Sequence, residues 1–436
     1  MKRLPALLLC AGLPALAQAP ANPLSIATDA FSATLYGLLD AGVGYMPHSL
    51  NWDGTLPPST APVALTGRKA VFGMFAGGVS QSRWGIRASA DLGGGWKAIA
   101  HLEACLVGTS GVVGNSAVGL ASNTALGPGW AGDSAVNNQL FARACYAGVS
   151  SERYGTLTFG RNISLMMENA VAYDPLGAAQ LFSPLGFSGT YGGGGSTEQS
   201  RVDSSLKYKV RLGAFNLGAL YKFGNVAGAP GAQSGIQANA GYERGPLGLQ
   251  VSYQASQDAF ALGSPNGTTQ PLGTVVATAF DTASWMANLK YGFGPVTLKA
   301  GYQRLTYTNP SHPVEDQALD SLFSVLIAKP VNVTRYANGA RKLNVTWLGG
   351  SWDATSRLVV QAAVYHVDQN DHSGGNPIAS AKHGTSRYVS VLVDYRITRR
   401  FEVYAGHMGN EASGGMAIPG CYTTNGLTGV GFRFAF

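Results

Sequence analysis

Charged residues are scarce in this chain. Only 12% of its 436 residues are Asp, Glu, Lys or Arg, about half of the ~25% that is typical of soluble domains. Beyond the N-terminal segment, no apolar run reaches the ~20 residues that a membrane-spanning helix needs. The chain is instead rich in glycine (59), tyrosine (19) and phenylalanine (17). This composition argues against both an ordinary soluble domain and a helical membrane protein, and it indicates short strands with turn glycines and membrane-interface aromatics.

Cysteine is also scarce. Of the four cysteines, Cys10 lies in the N-terminal segment, and Cys105, Cys145 and Cys421 remain. An odd number cannot form a complete disulfide framework. Counted from the predicted turns, Cys105 and Cys145 differ in height by about 15 Å, too far for a bridge, although a shift in the predicted strand ends keeps a disulfide as an alternative. Neither the cysteines nor the seven histidines have metal-ligand spacing, so we predict no metal or cofactor.

The N-terminus has the pattern of a secretory signal peptide. A positive start precedes an apolar core at 4–16 that is too short to span a membrane, and small-residue cleavage sites follow. We predict cleavage after Ala21, because Pro20 directly follows the alternative site. The prediction is a signal peptide at 1–21 and a mature chain at 22–436; the alternative is an N-terminal membrane anchor.

The chain is moderately basic. Removing Lys2 and Arg3 with the signal lowers the formal charge from +7 to about +5. No dense block of lysine and arginine accompanies this excess, so the sequence does not indicate nucleic-acid binding. In a channel, such an excess would favour anions if the charges line the lumen.

The C-terminus carries an aromatic stripe. Phe432, Phe434 and Phe436 fall at every second position, so on a strand they share one face. On a soluble edge strand this stripe would promote aggregation. On a closed transmembrane barrel it would face lipid, which is the interpretation we favour.

Segments of about ten residues with alternating character recur along the chain, separated alternately by short turns and long loops. They predict sixteen strands, an even number as bacterial barrels require, with the last strand pairing with the first. The alternative, a soluble two-sheet sandwich, would need several domains at this length. The long links 55–78, 108–137 and 308–341 would be extracellular loops. The predicted strands are 34–46, 82–91, 96–107, 138–149, 154–161, 201–211, 214–223, 236–243, 247–256, 282–291, 296–307, 342–352, 358–367, 387–396, 401–409 and 426–436.

Several motifs carry a family resemblance. They are ATLYGLLDAG (33–42), SRWGIR (82–87), DLGGGWKA (91–98), YGTLTFGR (154–161) and the terminal Phe436. With them, the chain resembles the Gram-negative general porins of the β-proteobacterial type over its whole length. The resemblance implies a homotrimer of 16-stranded antiparallel transmembrane β-barrels in the outer membrane, each with a water-filled pore narrowed by an inward-folded third loop. It also implies contact with outer-membrane lipid and lipopolysaccharide, and a terminal Phe436 that is read by the barrel-assembly machinery.

Alternation assigns candidate pore residues. Arg83 and Arg87 share one face of the second predicted strand, and Trp84 and Ile86 share the other. By the same rule Arg143 shares a face with Cys145. By resemblance, Arg83 matches an arginine of the family's constriction, and Arg143 and Arg201 lie at roughly matching strand positions. The alternative for each arginine is an ordinary solvated lumen residue or a structural ion pair. The predicted pore-lining and constriction residues are Arg83, Arg87, Lys97, Glu103, Arg143, Arg161, Arg201, Glu168 and Asp174.

The third loop, at 162–200, carries the acids Glu168, Asp174 and Glu198. Facing the arginines, they would set up a transverse field across the pore. The loop is also apolar at 165–167 and 181–182, which argues against a strong field and favours packing of the loop against the wall over a hydrophobic gate.

A diffusion channel needs width, polar lining and a local field, but no catalytic group. We therefore predict a passive outer-membrane pore for small hydrophilic solutes and ions that favours anions. The alternatives are a substrate-selective channel and a structural or adhesive surface barrel. An enzyme barrel ranks last, because no acid–base pair stands out among so few charges.

Overall fold

The computed structural model describes residues 24–49, 69–109, 111, 113, 140–186, 199–260, 278–312, 336, 339–372, 382–417 and 422–436. These residues form one helix and eighteen strand segments that join in a single sheet. In this part of the chain, no helix combines the length and the hydrophobicity needed to cross a bilayer. The elements are β1 (Leu24–Ala27), β2 (Phe31–Ser49), β3 (Lys69–Ala76), β4 (Arg83–Gly93), β5 (Trp96–Cys105), β6 (Ala144–Ser151), β7 (Gly155–Ile163), α1 (Leu165–Tyr173), β8 (Arg201–Leu212), β9 (Phe215–Lys222), β10 (Gly235–Arg244), β11 (Leu247–Phe260), β12 (Thr278–Phe293), β13 (Val296–Thr308), β14 (Arg341–Asp353), β15 (Leu358–Gln369), β16 (Gly384–Arg396), β17 (Phe401–Gly414) and β18 (Thr424–Ala435).

The eighteen segments occupy sixteen positions in an antiparallel barrel. Along one edge of β2, β4 pairs with the N-terminal half and β3 with the C-terminal half, so the two share one position. Along the other edge, β1 and β18 share a position in the same way. Eighteen segments less these two leave sixteen positions, which confirms the predicted barrel.

Three details differ from the sequence prediction. The predicted loop at 55–78 contains β3, which begins at Lys69. The short N-terminal strand β1 was not predicted. The fourth predicted strand, at 138–149, begins later than expected, because β6 starts at Ala144. The predicted signal peptide lies outside the described residues and stays a prediction.

Pairing of the last strand with the first closes the sheet, as predicted. The register runs from Thr428 opposite Tyr45 to Ala435 opposite Leu38. The N–H and C=O of Phe436 then bond to the C=O and N–H of Gly37, both at 3.0 Å. A Cβ on Gly37 would lie 2.1 Å from Cζ of the Phe436 ring, so only glycine lets this ring lie against the first strand.

The barrel is apolar outside, and its inner face is polar except where residues 165–186 pack against it. Leu249 and Leu289 are opposite one another on β11 and β12 and are exposed. The next pair, Gln250 and Asn288, is buried. This arrangement reverses that of a soluble protein and is the pattern of a barrel whose outer face contacts lipid.

The apolar core lies inside the barrel. Met166, Leu176 and Phe182, from α1 and the residues after it, pack in one cluster with inward side chains of β12 to β18, such as Trp347 and Tyr404. The stretch 165–186 therefore lies along the inner wall on that side.

Asp40 holds an inward turn between β3 and β4. Its buried carboxylate accepts the N–H groups of Gly78, Val79 and Ser80 at 2.6–3.0 Å and the hydroxyl of Tyr404 at 2.6 Å. The carbonyl of Gly78 accepts the N–H of Leu181 at 2.8 Å. The turn therefore links the wall to the residues that follow α1.

Cys105 and Cys145 are not joined by a disulfide. Cys145 is exposed and opposite Leu102 on the outer face, whereas Cys105 is buried and opposite Arg83. The two thiols thus point to opposite faces of the sheet. Cys421 lies outside the described residues.

We predict that Asp40→Ala lowers the free energy of unfolding by about 3 kcal/mol, because it leaves the N–H groups of Gly78, Val79 and Ser80 and the hydroxyl of Tyr404 without their acceptor. Urea unfolding of the barrel in lipid bilayers measures this. Asp91→Ala is the control, since the exposed Asp91 accepts one N–H, that of Gly93. Equal losses for both variants would contradict the prediction.

Candidate pore constriction

Two arginines share one carboxylate on the inner wall. Glu103, on β5, is buried, and its Oε1 accepts a hydrogen bond from Nε of Arg143 at 2.6 Å. Its Oε2 lies 3.5 Å from Nε of Arg83, at the start of β4. Because one carboxylate meets two guanidinium groups, this site keeps a net positive charge.

A chain of hydrogen bonds through Tyr36, His101 and Tyr146 begins at Glu103. The Tyr36 hydroxyl donates to Oε2 of Glu103 at 2.6 Å, so it accepts from Nε2 of His101, also at 2.6 Å. Nδ1 of a neutral His101 then accepts from the hydroxyl of Tyr146 at 3.2 Å. The Arg87 guanidinium lies 4.3 Å from the centre of the Tyr36 ring, a cation–π distance. Arg83, Arg87, Glu103 and Arg143 therefore lie together, and we name them the arginine group.

Arg143 contacts this group because it lies before the start of β6, where the alternation of inward and outward side chains does not yet apply. It lies in a bend just before β6, and its N–H bonds to the carbonyl of Glu103 at 3.1 Å. Its guanidinium is buried and also donates to Oε1 of Gln81. Cys145, two residues on, is exposed on the outer face. The prediction that Arg143 and Cys145 share a face was wrong, because the bend separates them.

Glu168 contacts lysines rather than the arginine group. On α1, its two oxygens accept Nζ of Lys207 at 2.6 Å and Nζ of Lys209 at 2.7 Å, both from β8. Burial alone would raise the pKa of Glu168, but the two ammonium groups outweigh this and hold the pKa below its usual value. We name Glu168, Lys207 and Lys209 the lysine group.

Sequence reasoning missed Lys207 and Lys209. Their signal was the alternation along β8, where Ser205, Lys207 and Lys209 fall at every second position and the residues at 206 and 208 are apolar or aromatic. Applied to this strand as it was to the second, the alternation would have placed both lysines inward.

The local sequence defines α1. Ser164 caps its N-terminus by accepting the N–H of Met167 at 3.0 Å. Leu165 N–H donates to Oε1 of Gln237 at 2.7 Å, and the Asn169 amide donates to Oγ of Ser252. The helix ends at Tyr173, since the following Asp174 precedes a proline and is extended.

Asp174 anchors the chain after α1. Its buried carboxylate accepts the Tyr365 hydroxyl and the Ala178 N–H, both at 2.6 Å, and its carbonyl accepts Nζ of Lys299 at 2.8 Å. Burial raises the pKa of this carboxyl, although the hydroxyl of Tyr365 opposes the rise. Asp174 thus bonds to β13 and β15 and not to the predicted arginines, and Glu198 lies outside the described residues.

The remaining predicted residues lie apart from the arginine group. Arg161 donates to the Ala142 carbonyl at 2.7 Å and to Asp203 at 2.6 Å, where a bulge at Gly160 (φ +126°) turns the strand. Arg201 is buried opposite Ile163, whose carbonyl accepts Nζ of Lys207. Lys97 is exposed and about 20 Å along β5 from Glu103 at strand rise.

Across the described residues, no cluster of three or more His, Cys, Asp or Glu side chains could hold a metal ion. Between β4 and β8 the inner wall instead carries two groups of cations, each with one carboxylate. This arrangement can attract small anions without the directed ligands of a tight site.

Comparison with known proteins identifies the fold. The family model described as Gram-negative porin matches residues 5–415. The chain belongs to the Gram-negative porin family. This porin is therefore an outer-membrane diffusion channel of a Gram-negative bacterium, which confirms the predicted family, location and basic function.

The comparison with individual proteins agrees with this family assignment. An outer membrane porin protein of Bordetella pertussis is 26% identical over 370 residues, covering 76% of this chain and 87% of that protein. The anion-selective porin from Comamonas acidovorans has a TM-score of 0.62 at 19% identity, with 93% and 100% of the two chains covered. The trimer form of OmpT, an outer membrane protein of Vibrio cholerae, has a TM-score of 0.56 at 15% identity, with 94% and 100% covered.

We predict that Glu168→Gln lowers the free energy of unfolding by ~1 kcal/mol at pH 7. Because the folded pKa of Glu168 is lowered, its ion pairs contribute fully above the unfolded value near 4.5. The contribution is lost as the pH falls through the lower folded value. The difference from wild type should therefore shrink below about pH 4.5, as measured by urea unfolding between pH 3 and 7. Glu152→Gln, in an exposed turn, is the control, and a pH-independent difference would contradict the prediction.

Proposed function

We propose that this porin favours small anions, and that the arginine and lysine groups form its selective wall. The observation that carries the proposal is the charge on the inner wall of β4 to β8. In the arginine group, the lysine group and Arg201, six cations and two carboxylates lie there, which leaves an excess of four positive charges. The cations are Arg83, Arg87, Arg143, Arg201, Lys207 and Lys209, and the carboxylates are Glu103 and Glu168.

The two sides of the barrel differ in a way that supports this proposal. The residues at 165–186 pack against β12 to β18 with an apolar cluster that contains Phe182 and Trp347. The cations lie on β4 to β8, and α1 of this stretch reaches them through Glu168, which bonds to Lys207 and Lys209. We infer that this stretch narrows the pore and directs solutes along the basic wall.

Arginine suits such a wall, because its guanidinium stays ionised at every relevant pH and presents a fixed fork of donors. A field of one sign raises the local concentration of anions in a water-filled constriction. The relative from Comamonas acidovorans is described as anion-selective, which agrees with the proposal.

The same contacts argue against catalysis. Glu103 is held by two guanidinium groups and a hydroxyl, and Glu168 by two ammonium groups. A general acid or base needs a pKa near the operating pH, and a carboxylate paired with two cations is stabilised in its ionised form. We infer passive passage of small hydrophilic solutes and ions, with no enzymatic step.

Assembly belongs to the same proposal. We infer a homotrimer, in agreement with the trimer form of the Vibrio cholerae relative. We also infer export by a signal peptide at 1–21, contact with outer-membrane lipid and lipopolysaccharide, and recognition of Phe436 by the barrel-assembly machinery.

Reversal potentials in a KCl gradient across planar bilayers test the selectivity. We predict anion preference in the wild type and a roughly twofold lower anion-to-cation permeability ratio in Arg87→Ala, because one lumen charge is lost. Arg153→Ala is the matched control, since Arg153 also stacks on a tyrosine, Tyr154, but lies in an exposed turn. Cation preference in the wild type would overturn the proposal.

Deletion of Phe436 tests assembly. We predict that wild-type outer membranes yield an oligomeric band on unheated gels and a monomer band after heating. The deletion should reduce the unheated band several-fold, because the closing bonds to Gly37 and the terminal signal are both lost. The conductance of the molecules that do insert should be unchanged. Normal surface levels would contradict the assembly role, and a monomer band without heating would contradict the trimer.

A further inference from the structure

In the lysine group, two ammonium groups bind one carboxylate, and that carboxylate is the Glu168 side chain of the same protein. We propose that Lys207 and Lys209 form an anion station of the pore, and that small permeating carboxylates compete with Glu168 for it. The inference deepens the proposed anion preference and rests on it. It adds a binding site, a ligand class and an internal competitor.

Geometry gives the ligand class. Each ammonium group bonds to a different oxygen of the Glu168 carboxylate, at 2.6 and 2.7 Å. These are charge-assisted hydrogen bonds of ordinary strong length. A small monocarboxylate such as acetate presents the same two oxygens and the same charge, so it can replace the side chain at both donors.

Exposure gives the route of access. The side chain of Lys207 is 8% exposed, that of Glu168 16% and that of Lys209 32%. The group is therefore closed on the wall side and open on the Lys209 side. A solute in the lumen reaches Lys209 first.

The two lysines are held differently. Nζ of Lys207 also donates to the carbonyl of Ile163 at 2.8 Å, which fixes it whether or not Glu168 is present. Among the described residues, Nζ of Lys209 bonds to the Glu168 carboxylate alone. Lys207 thus supplies a fixed donor, and Lys209 supplies a donor that can turn toward a solute.

The third loop does not depend on Glu168 for its position. The Ser164 cap, the bond from Leu165 to Gln237 and the bond from Asn169 to Ser252 hold α1 without the Glu168 carboxylate. Met166 and Ala170 belong to the apolar cluster inside the barrel. Glu168 can therefore release the lysines without movement of the helix.

The station also lies on a basic row. Arg201 and Arg211 stand at the two ends of the same strand, β8, with the lysines between them. An anion that leaves the station on either side meets another cation of the strand. Because Glu168 competes for the two lysines, it lowers the affinity of the station for the permeating anion. The anion can therefore leave the station and continue through the pore.

Single-channel conductance in rising potassium acetate tests the proposal. In Glu168→Gln the competitor loses its charge, so acetate should bind more tightly and half-saturating acetate should fall by about threefold or more. Glu243→Gln is the matched control, because Glu243 also pairs with one lumen lysine, Lys290, and its removal changes the net charge equally. An equal fall of the half-saturating acetate concentration in both variants would show that the lost charge alone causes the effect. That result would contradict the proposed binding site.

A second variant separates the station from the general anion preference. Adding Lys209→Met to Glu168→Gln should return the half-saturating concentration to the wild-type value or above, whereas Lys97→Met, near the turn after β4, should not. An unchanged concentration in all variants overturns the station while the wild-type reversal potential still supports anion preference. A cation-selective reversal potential overturns the proposed function itself.

Discussion

The hydrogen bonds between β18 and β2 close the sheet, and the other features of this porin depend on that closure. From Thr428 to Phe436 the C-terminus bonds to β2, so the sheet has no open edge. In a hydrocarbon environment an unpaired edge would leave polar backbone groups without partners. Closure also fixes an inside and an outside, and each strand then alternates between lipid and lumen. Exposed Leu249 and Leu289 beside buried Gln250 and Asn288 are a direct consequence.

Four carboxylates with matched partners organise the interior. Asp40 receives three N–H groups and a hydroxyl, and Asp174 receives a hydroxyl and an N–H. These two carboxylates fix the inward turn before β4 and the chain after α1, on the side where the apolar cluster lies. Glu103 and Glu168 are matched by cations instead. Because each of these two carboxylates meets two cations, an unbalanced positive charge remains on one side of the lumen, and this is the basis of the proposed selectivity.

Alternation along the chain was sufficient to find one strand at each of the sixteen positions of the barrel. The sixteen predicted strands each overlap a strand of the barrel, and Arg83, Arg87 and Glu103 were correctly placed on one inner face. The prediction failed where the backbone leaves the regular ladder. A bend turns Arg143 inward, and the bulge at Gly160 precedes the departure of Arg161 from the arginine group. β3 was missed because its residues were assigned to the predicted loop at 55–78.

The sequence by itself determined the barrel, its strand number, the composition of its two faces and its family, because these follow from period-two patterning and local motifs. Only the tertiary structure decided which charges meet. Glu168 lies 39 residues before Lys207 in the chain and pairs with it because α1 and β8 come together inside the barrel. Such contacts depend on strand register, bulges and the path of a loop, and none of these quantities is contained in the alternation of a single strand.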